Sequence, residues 1–95
     1  MLNSNVTNYL TNFIGTWTSA GTNLVITEKG KLHYICFKGS SRKRINGTIK
    51  EFKENSFVVK VLWIFSFTFK IDEPPHKSGN KWKMRINGVE LTKEL

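Results

Sequence analysis

The chain has 95 residues, a net charge of +8 and 39% hydrophobic residues. That length holds one domain, residues 1–95, and the apolar share, with Phe 7 and Trp 3, supplies one core and excludes an intrinsically disordered chain. A lone cysteine, Cys36, excludes an intrachain disulfide and any metal site built on paired thiolates.

Residues 3–14 read as a short helix. Val6, Tyr9, Leu10 and Phe13 keep the i, i+3, i+4, i+7 spacing of one apolar stripe, Ser4 or Asn5 can cap the first turn, and Gly15 stands where helices commonly stop. Residues 16–93 then read as antiparallel β structure. Thr16 to Ser19 and Leu24 to Thr27 are short strands, and Glu28-Lys29-Gly30-Lys31 looks like a hairpin loop. Leu32 to Lys38 follows and stops at Gly39-Ser40-Ser41. Arg42 to Phe52 is a longer extended run. Its Asn46-Gly47 reads as a bulge, because a two-residue turn there pairs apolar Ile45 with Thr48.

Phe57 to Ile71 carries the strongest pattern. Phe57, Val59, Val61, Trp63, Phe65, Phe67, Phe69 and Ile71 occupy every odd position, which is the period of a strand with one buried face. A ribbon of that length is expected to bend and serve two sheets. It is also interrupted by Lys60 and too short in its uncharged part to span a membrane as a helix. On its other face Val58, Leu62 and Ile64 need a cover, from the N-terminal helix or from a second copy of the chain in a homodimer. Asp72 to Asn80, with Pro74-Pro75, reads as the one long loop. Lys81 to Ile86 and Val89 to Lys93 flank Asn87-Gly88, the strongest short hairpin signal. A two-residue turn there pairs Ile86 with Val89, Arg85 with Glu90 and Met84 with Leu91. The fold class is therefore mainly β: a small antiparallel barrel or strongly curved sheet of about seven strands with a short N-terminal helix.

A helical or coiled entry followed by Gly15-Thr16-Trp17 at the first strand resembles the opening of lipocalins, fatty-acid-binding proteins and avidins, and the run Thr22 to Thr27 with its Gly30 turn is similar to an early avidin-type hairpin. The resemblance covers about the first third of the chain. It implies an up-and-down barrel with Trp17 packed under its floor and a late arginine against it, a part open here to Arg85 alone.

Catalytic signals are absent. His33 and Cys36 are three apart in a strand, so they point to opposite faces and make no nucleophile–base pair. His76 stands alone in the Pro-rich loop, and Asp72-Glu73 are adjacent rather than opposed, so neither a metal site nor an enzyme is expected, and no cofactor. Two binding readings remain, beside a third in which the surplus apolar face of the long strand serves a dimeric protein-interaction module. In one, Trp17, Tyr34, Trp63, Phe65, Phe67 and Trp82 hold a small apolar molecule in the barrel, although a barrel of this size is commonly filled by its own side chains. In the other, a basic surface binds nucleic acid through Lys38, Arg42, Lys43 and Arg44 around one turn and through Lys81, Lys83 and Arg85 on one face of the last hairpin. Met1 to Leu10 lacks a basic segment and an apolar core, so no secretory signal is expected and the setting reads as cytoplasmic.

Overall fold

The computed structural model describes residues 9–62 and 64–95. Eight antiparallel strands follow one another as a meander and close into a barrel: β1 (Gly15–Ser19), β2 (Thr22–Ile26), β3 (Lys31–Lys38), β4 (Ser41–Phe52), β5 (Ser56–Val61), β6 (Phe65–Ser78), β7 (Lys81–Ile86) and β8 (Val89–Lys93). The mainly β, barrel-type expectation is met, with eight strands rather than seven. Of the expected N-terminal helix, the described residues show Tyr9 and Leu10 as helical and then a 3-10 turn at Thr11–Phe13; Val6 and the rest of residues 1–8 lie outside the described residues. No helix among the described residues is long and apolar enough to cross a membrane.

The period-two ribbon from Phe57 to Ile71 is two strands rather than one. Val61 pairs with Phe65, so residues 62–64 form the connection between β5 and β6. A three-residue connection puts Val61 and Phe65 opposite each other on one face, which leaves the parity of buried positions unchanged across the turn. The pattern therefore passes through the hairpin without a mark. Leu62 makes the reversal with φ 53, and the Ile64 amide donates to the Val61 carbonyl at 3.2 Å.

Two further expectations change. The stretch read as a loop at Asp72 to Asn80 belongs mostly to β6, which pairs Glu73 with Arg85 and His76 with Lys83. Pro74 and Pro75 fall inside the register shift between Glu73 and His76, where the ladder needs no donor from them. Asn46-Gly47 is regular strand, paired with His33 and Leu32, and the irregularity in β4 comes later, between Ile49 and Glu51. Gly47 serves another purpose. A Cβ there would run into the Lys60 carbonyl and Val59 Cγ1, so only glycine lets β4 and β5 approach this closely. The final hairpin has the register read from its sequence, Ile86↔Val89, Arg85↔Glu90 and Met84↔Leu91.

The inward faces fill the barrel. Trp17, Leu24, Leu32, Ile49, Phe57, Val59 and Met84 are wholly buried. Phe57 and Phe69, paired across β5 and β6, stack at 5.2 Å with 6° between their planes. Tyr34 meets Phe69 edge-on at 5.3 Å, and Phe57 passes the chain of rings to Phe13 at 5.9 Å and Phe52 at 5.5 Å. Phe13 and Leu10 thus plug one end of the barrel, and Tyr9 extends the plug by lying 5.8 Å from Phe52. The described part of the apolar stripe, Tyr9, Leu10 and Phe13, is spent on this plug, and Leu62 and Ile64 are exposed.

Trp17 ties the plug to the wall. Its Nε1 donates to the Phe13 carbonyl at 2.9 Å, which satisfies a buried backbone acceptor. The cation over its ring is Lys93, with Nζ 5.8 Å from the centroid, and not Arg85. β1 and β8 form the seam of the barrel and pair Trp17 with Lys93 directly, whereas Arg85 lies one strand further away. Arg85 is instead occupied by the Gly88 carbonyl, Glu73 and Glu90. Gly15, at φ 137, has a conformation that L side chains rarely adopt, and a Cβ there would lie 2.7 Å from Lys93 Cε. The Gly-x-Trp spacing therefore has a physical reason: glycine clears the path by which a lysine reaches the tryptophan two residues on.

Replacing Gly47 by alanine is expected to destabilise the protein by about 1–3 kcal/mol, because the obstruction is backbone and cannot rotate away. Urea unfolding of Gly47→Ala against the parent checks this; an unchanged midpoint would contradict the close β4–β5 approach.

Candidate functional site

A meander places alternate turns at the same end of its barrel, so the β3–β4 turn at 39–40 and the β7–β8 turn at 87–88 share the end opposite the Phe13 plug. Between them opens a cavity of about 300 Å³ lined by Tyr34, Cys36, Lys38, Arg42, Lys43 and Val89, with Ser41 and Asn87 at its edge. The register explains this set. Lys43 pairs with Cys36 and Ser41 with Lys38, so these four side chains share the inward face of the β3–β4 hairpin, one step beyond Tyr34 and Ile45. The inner face thus changes from apolar to cationic just where the barrel ends. Asn87 is fixed across the mouth: its amide donates to the Lys70 carbonyl at 2.9 Å, and its Oδ1 accepts from the Lys70 amide at 2.8 Å. Its φ of 49 is one that asparagine tolerates well.

Three polar groups lie just inside this mouth. The Thr22 hydroxyl donates to Cys36 Sγ at 3.6 Å, and both residues are buried. That hydrogen bond is the largest cause holding the Cys36 thiol below the usual thiol range; Tyr34 adds a second hydrogen bond, burial opposes both, and Lys38 and Lys43 lower it further. Tyr34 moves the other way. Burial, then its hydrogen bond and charge interaction with Cys36, pushes the phenol from 10.0 up to about 12. Burial thus favours the neutral phenol of Tyr34, while Lys38 and Lys43 favour negative charge near Cys36.

Among the described residues, no carboxylate pairs with the cations of the mouth. Among the described residues the ion pairs are Lys70–Asp72, His76–Glu73, Lys83–Glu90 and Arg85 with Glu73 and Glu90. All of them gather on β6 to β8. Lys38, Arg42, Lys43 and Arg44 take no part in them.

The residues singled out in the sequence are thereby separated. Of the five aromatic candidates among the described residues, Tyr34 alone lines the mouth. Trp17 is sealed in the opposite half against Phe13, Phe67 is half-buried, and Phe65 and Trp82 keep the inward parity of their strands but are exposed. Trp63 lies outside the described residues. These rings do not converge on one chamber, because the interior they were expected to surround is occupied by Phe57 and Phe69. Of the basic candidates, Lys38, Arg42 and Lys43 come together at the mouth, and Arg44 sits opposite Ile35 on the outward face. Lys81, Lys83 and Arg85 belong to β7, where Lys83 and Arg85 are engaged by glutamates. Sequence reasoning took Cys36 only as a lone cysteine that makes no pair with His33; the signal it missed was the inward parity Cys36 shares with Tyr34 and Lys38. His33 faces outward and Cys36 inward, as their spacing requires, and no group of three or more His, Cys, Asp or Glu among the described residues is placed to hold a metal ion.

Comparison with protein-family models, with curated proteins and with solved structures finds no match. The closed eight-stranded antiparallel meander is consistent with a calycin-like barrel.

The raised Tyr34 value has a consequence for stability. A group whose folded pKa exceeds its unfolded value contributes stability that is complete below the unfolded value and is lost as pH rises through the folded one. Stability is therefore expected to fall between pH 10 and about 12 as Tyr34 ionises. In Tyr34→Phe this part of the decline disappears, together with the latest component of the phenolate absorbance titration. A Tyr34→Phe protein that keeps both would show that the phenol does not occupy this environment.

Proposed function

We propose that the protein is a non-catalytic, calycin-type binding protein that holds a small anionic ligand with an apolar body in the mouth of its barrel. The single observation that carries this reading is the cavity of about 300 Å³ in which Lys38 and Lys43, free of ion pairs among the described residues, face inward above Tyr34. Its volume is at the lower end of small-molecule sites, which fits one ring system or a short chain and not a long lipid. An anionic head between Lys38, Lys43 and Arg42 gains charge-assisted hydrogen bonds without displacing an internal carboxylate. The apolar body lies against Tyr34 and Val89, and Ser41 and Asn87 offer neutral hydrogen-bonding groups at the rim. A purely apolar ligand deep in the barrel, the first reading of the sequence, has no room beside the stacked Phe57 and Phe69.

A single-stranded nucleic acid is the second reading. It is favoured by the β3–β4 turn, where Lys38, Arg42, Lys43 and Arg44 cluster beside the exposed ring of Phe37.

The test uses anilinonaphthalene sulfonate, a dye that joins a sulfonate to flat apolar rings. Its fluorescence is expected to rise on binding and to be displaced by octanoate. Lys38→Glu/Lys43→Glu is expected to weaken binding at least about tenfold, the equivalent of about 1.4 kcal/mol, while Lys81→Glu/Lys83→Glu leaves it nearly unchanged. Binding that ignores the first pair would overturn the mouth as the site. Displacement by a short oligonucleotide but not by octanoate, with a steep salt dependence, would select the second reading.

A further inference from the structure

The β5–β6 turn breaks two local preferences together. A residue at φ 53 is ordinarily glycine or asparagine, and the tip of a hairpin in water is ordinarily polar. Here the strained position is Leu62, and Leu62, Ile64 and Phe65 are 71%, 64% and 55% exposed. None of these side chains contributes to the core, so their apolar surface and the strain at Leu62 weaken the fold without return. Local departures of that kind concentrate at functional positions.

The surroundings of the tip show what it fits. The outward faces of β3, β4 and β5 form a groove of about 370 Å³ that has Leu62 as one wall and Lys31, Lys50 and Lys60 along its sides. Lys31 pairs in register with Thr48, and Thr48 with Lys60, so the first and last of these lysines flank β4 from both neighbours. Lys31 Nζ reaches only the Thr48 hydroxyl, at 3.4 Å, and His33 Nδ1 lies 2.9 Å from Asn46 Oδ1. Among the described residues none of the three lysines takes part in an ion pair. An apolar tip therefore stands at the end of an unneutralised cationic groove, on a chain whose net charge is +8.

We infer that this face docks on an anionic lipid surface, with Leu62, Ile64 and Phe65 entering the acyl boundary and Lys31, Lys50 and Lys60 meeting lipid phosphates. Apolar insertion and basic attraction are each weak alone and bind together. A bilayer receives a convex tip without needing a matching cavity, and it supplies the negative charge the groove lacks. A second copy of the chain fits less well. Three tip residues fall far short of the roughly 800 Å² per partner of a stable interface, and tip-to-tip contact brings two sets of lysines together. The groove shares no lining residue with the mouth, so this inference does not rest on the small-ligand reading.

The experiment is co-sedimentation of the full chain with vesicles of phosphatidylcholine containing about 30% phosphatidylserine, against vesicles of phosphatidylcholine alone. Binding is expected to the anionic vesicles only. Leu62→Asn/Ile64→Ser, which keeps net charge and places a tolerant residue at the left-handed position, is expected to weaken it about tenfold at an undiminished thermal midpoint. Lys50→Glu/Lys60→Glu is expected to do the same, and Lys38→Glu/Lys43→Glu to retain most vesicle binding while losing the dye. Four results would overturn the inference. They are no binding to anionic vesicles, binding indifferent to Leu62→Asn/Ile64→Ser, a dimer in light scattering that this pair dissolves, and oligonucleotide binding weakened by the same variants in the absence of vesicle binding.

Discussion

The parallel stack of Phe57 on Phe69 occupies the centre of the barrel, and the placement of every other functional group follows from it. An eight-stranded barrel is just wide enough for its own side chains or for one small guest. With Phe57 and Phe69 on directly paired positions and Tyr34, Phe13 and Phe52 packed around them, the guest's place is taken. Binding is displaced to the periphery. One end is stopped by Phe13 and Leu10, and the opposite end offers a recess into which inward-facing polar side chains project.

Charge is divided in a manner that matches this division of space. On the strands from β6 to β8, Lys70, Lys83 and Arg85 pair with Asp72, Glu73 and Glu90, so part of the charge on that half of the surface is offset locally. The strands from β3 to β5 carry Lys31, Lys38, Arg42, Lys43, Arg44, Lys50 and Lys60 with no ion pair among the described residues. The excess charge of the chain is thus an asymmetric field, strong on one side of the barrel, rather than a uniform coat that only aids solubility.

How far the sequence revealed this depends on whether a signal was local. The Asn87-Gly88 hairpin was readable to the residue, because turn type and cross-strand pairing agree over a few positions. The β5–β6 hairpin was hidden, because its connection preserves parity and its turn residues are apolar rather than Gly or Asn. Pro74-Pro75 argued for a loop, and only the bulged register of β6 accommodates them within a strand. At the site, Lys38, Arg42 and Lys43 were visible as a charge cluster and Tyr34 as an aromatic candidate. That they share one cavity is a consequence of barrel closure, which no short window of sequence contains. The partner of Trp17 was missed for the same reason: Lys93 reaches it only across the seam.

That seam is short. Its paired residues are Trp17 with Lys93 and Thr18 with Thr92, supplemented by the Glu94 amide on the Thr16 carbonyl at 2.8 Å. All other strand pairs join neighbours in the chain, so this contact alone must close a loop of nearly the whole polypeptide. Closing so long a loop costs chain entropy that the neighbouring hairpins do not incur. The barrel is accordingly a rolled ribbon fastened at a clasp, and Lys93 lying over Trp17 is part of that clasp.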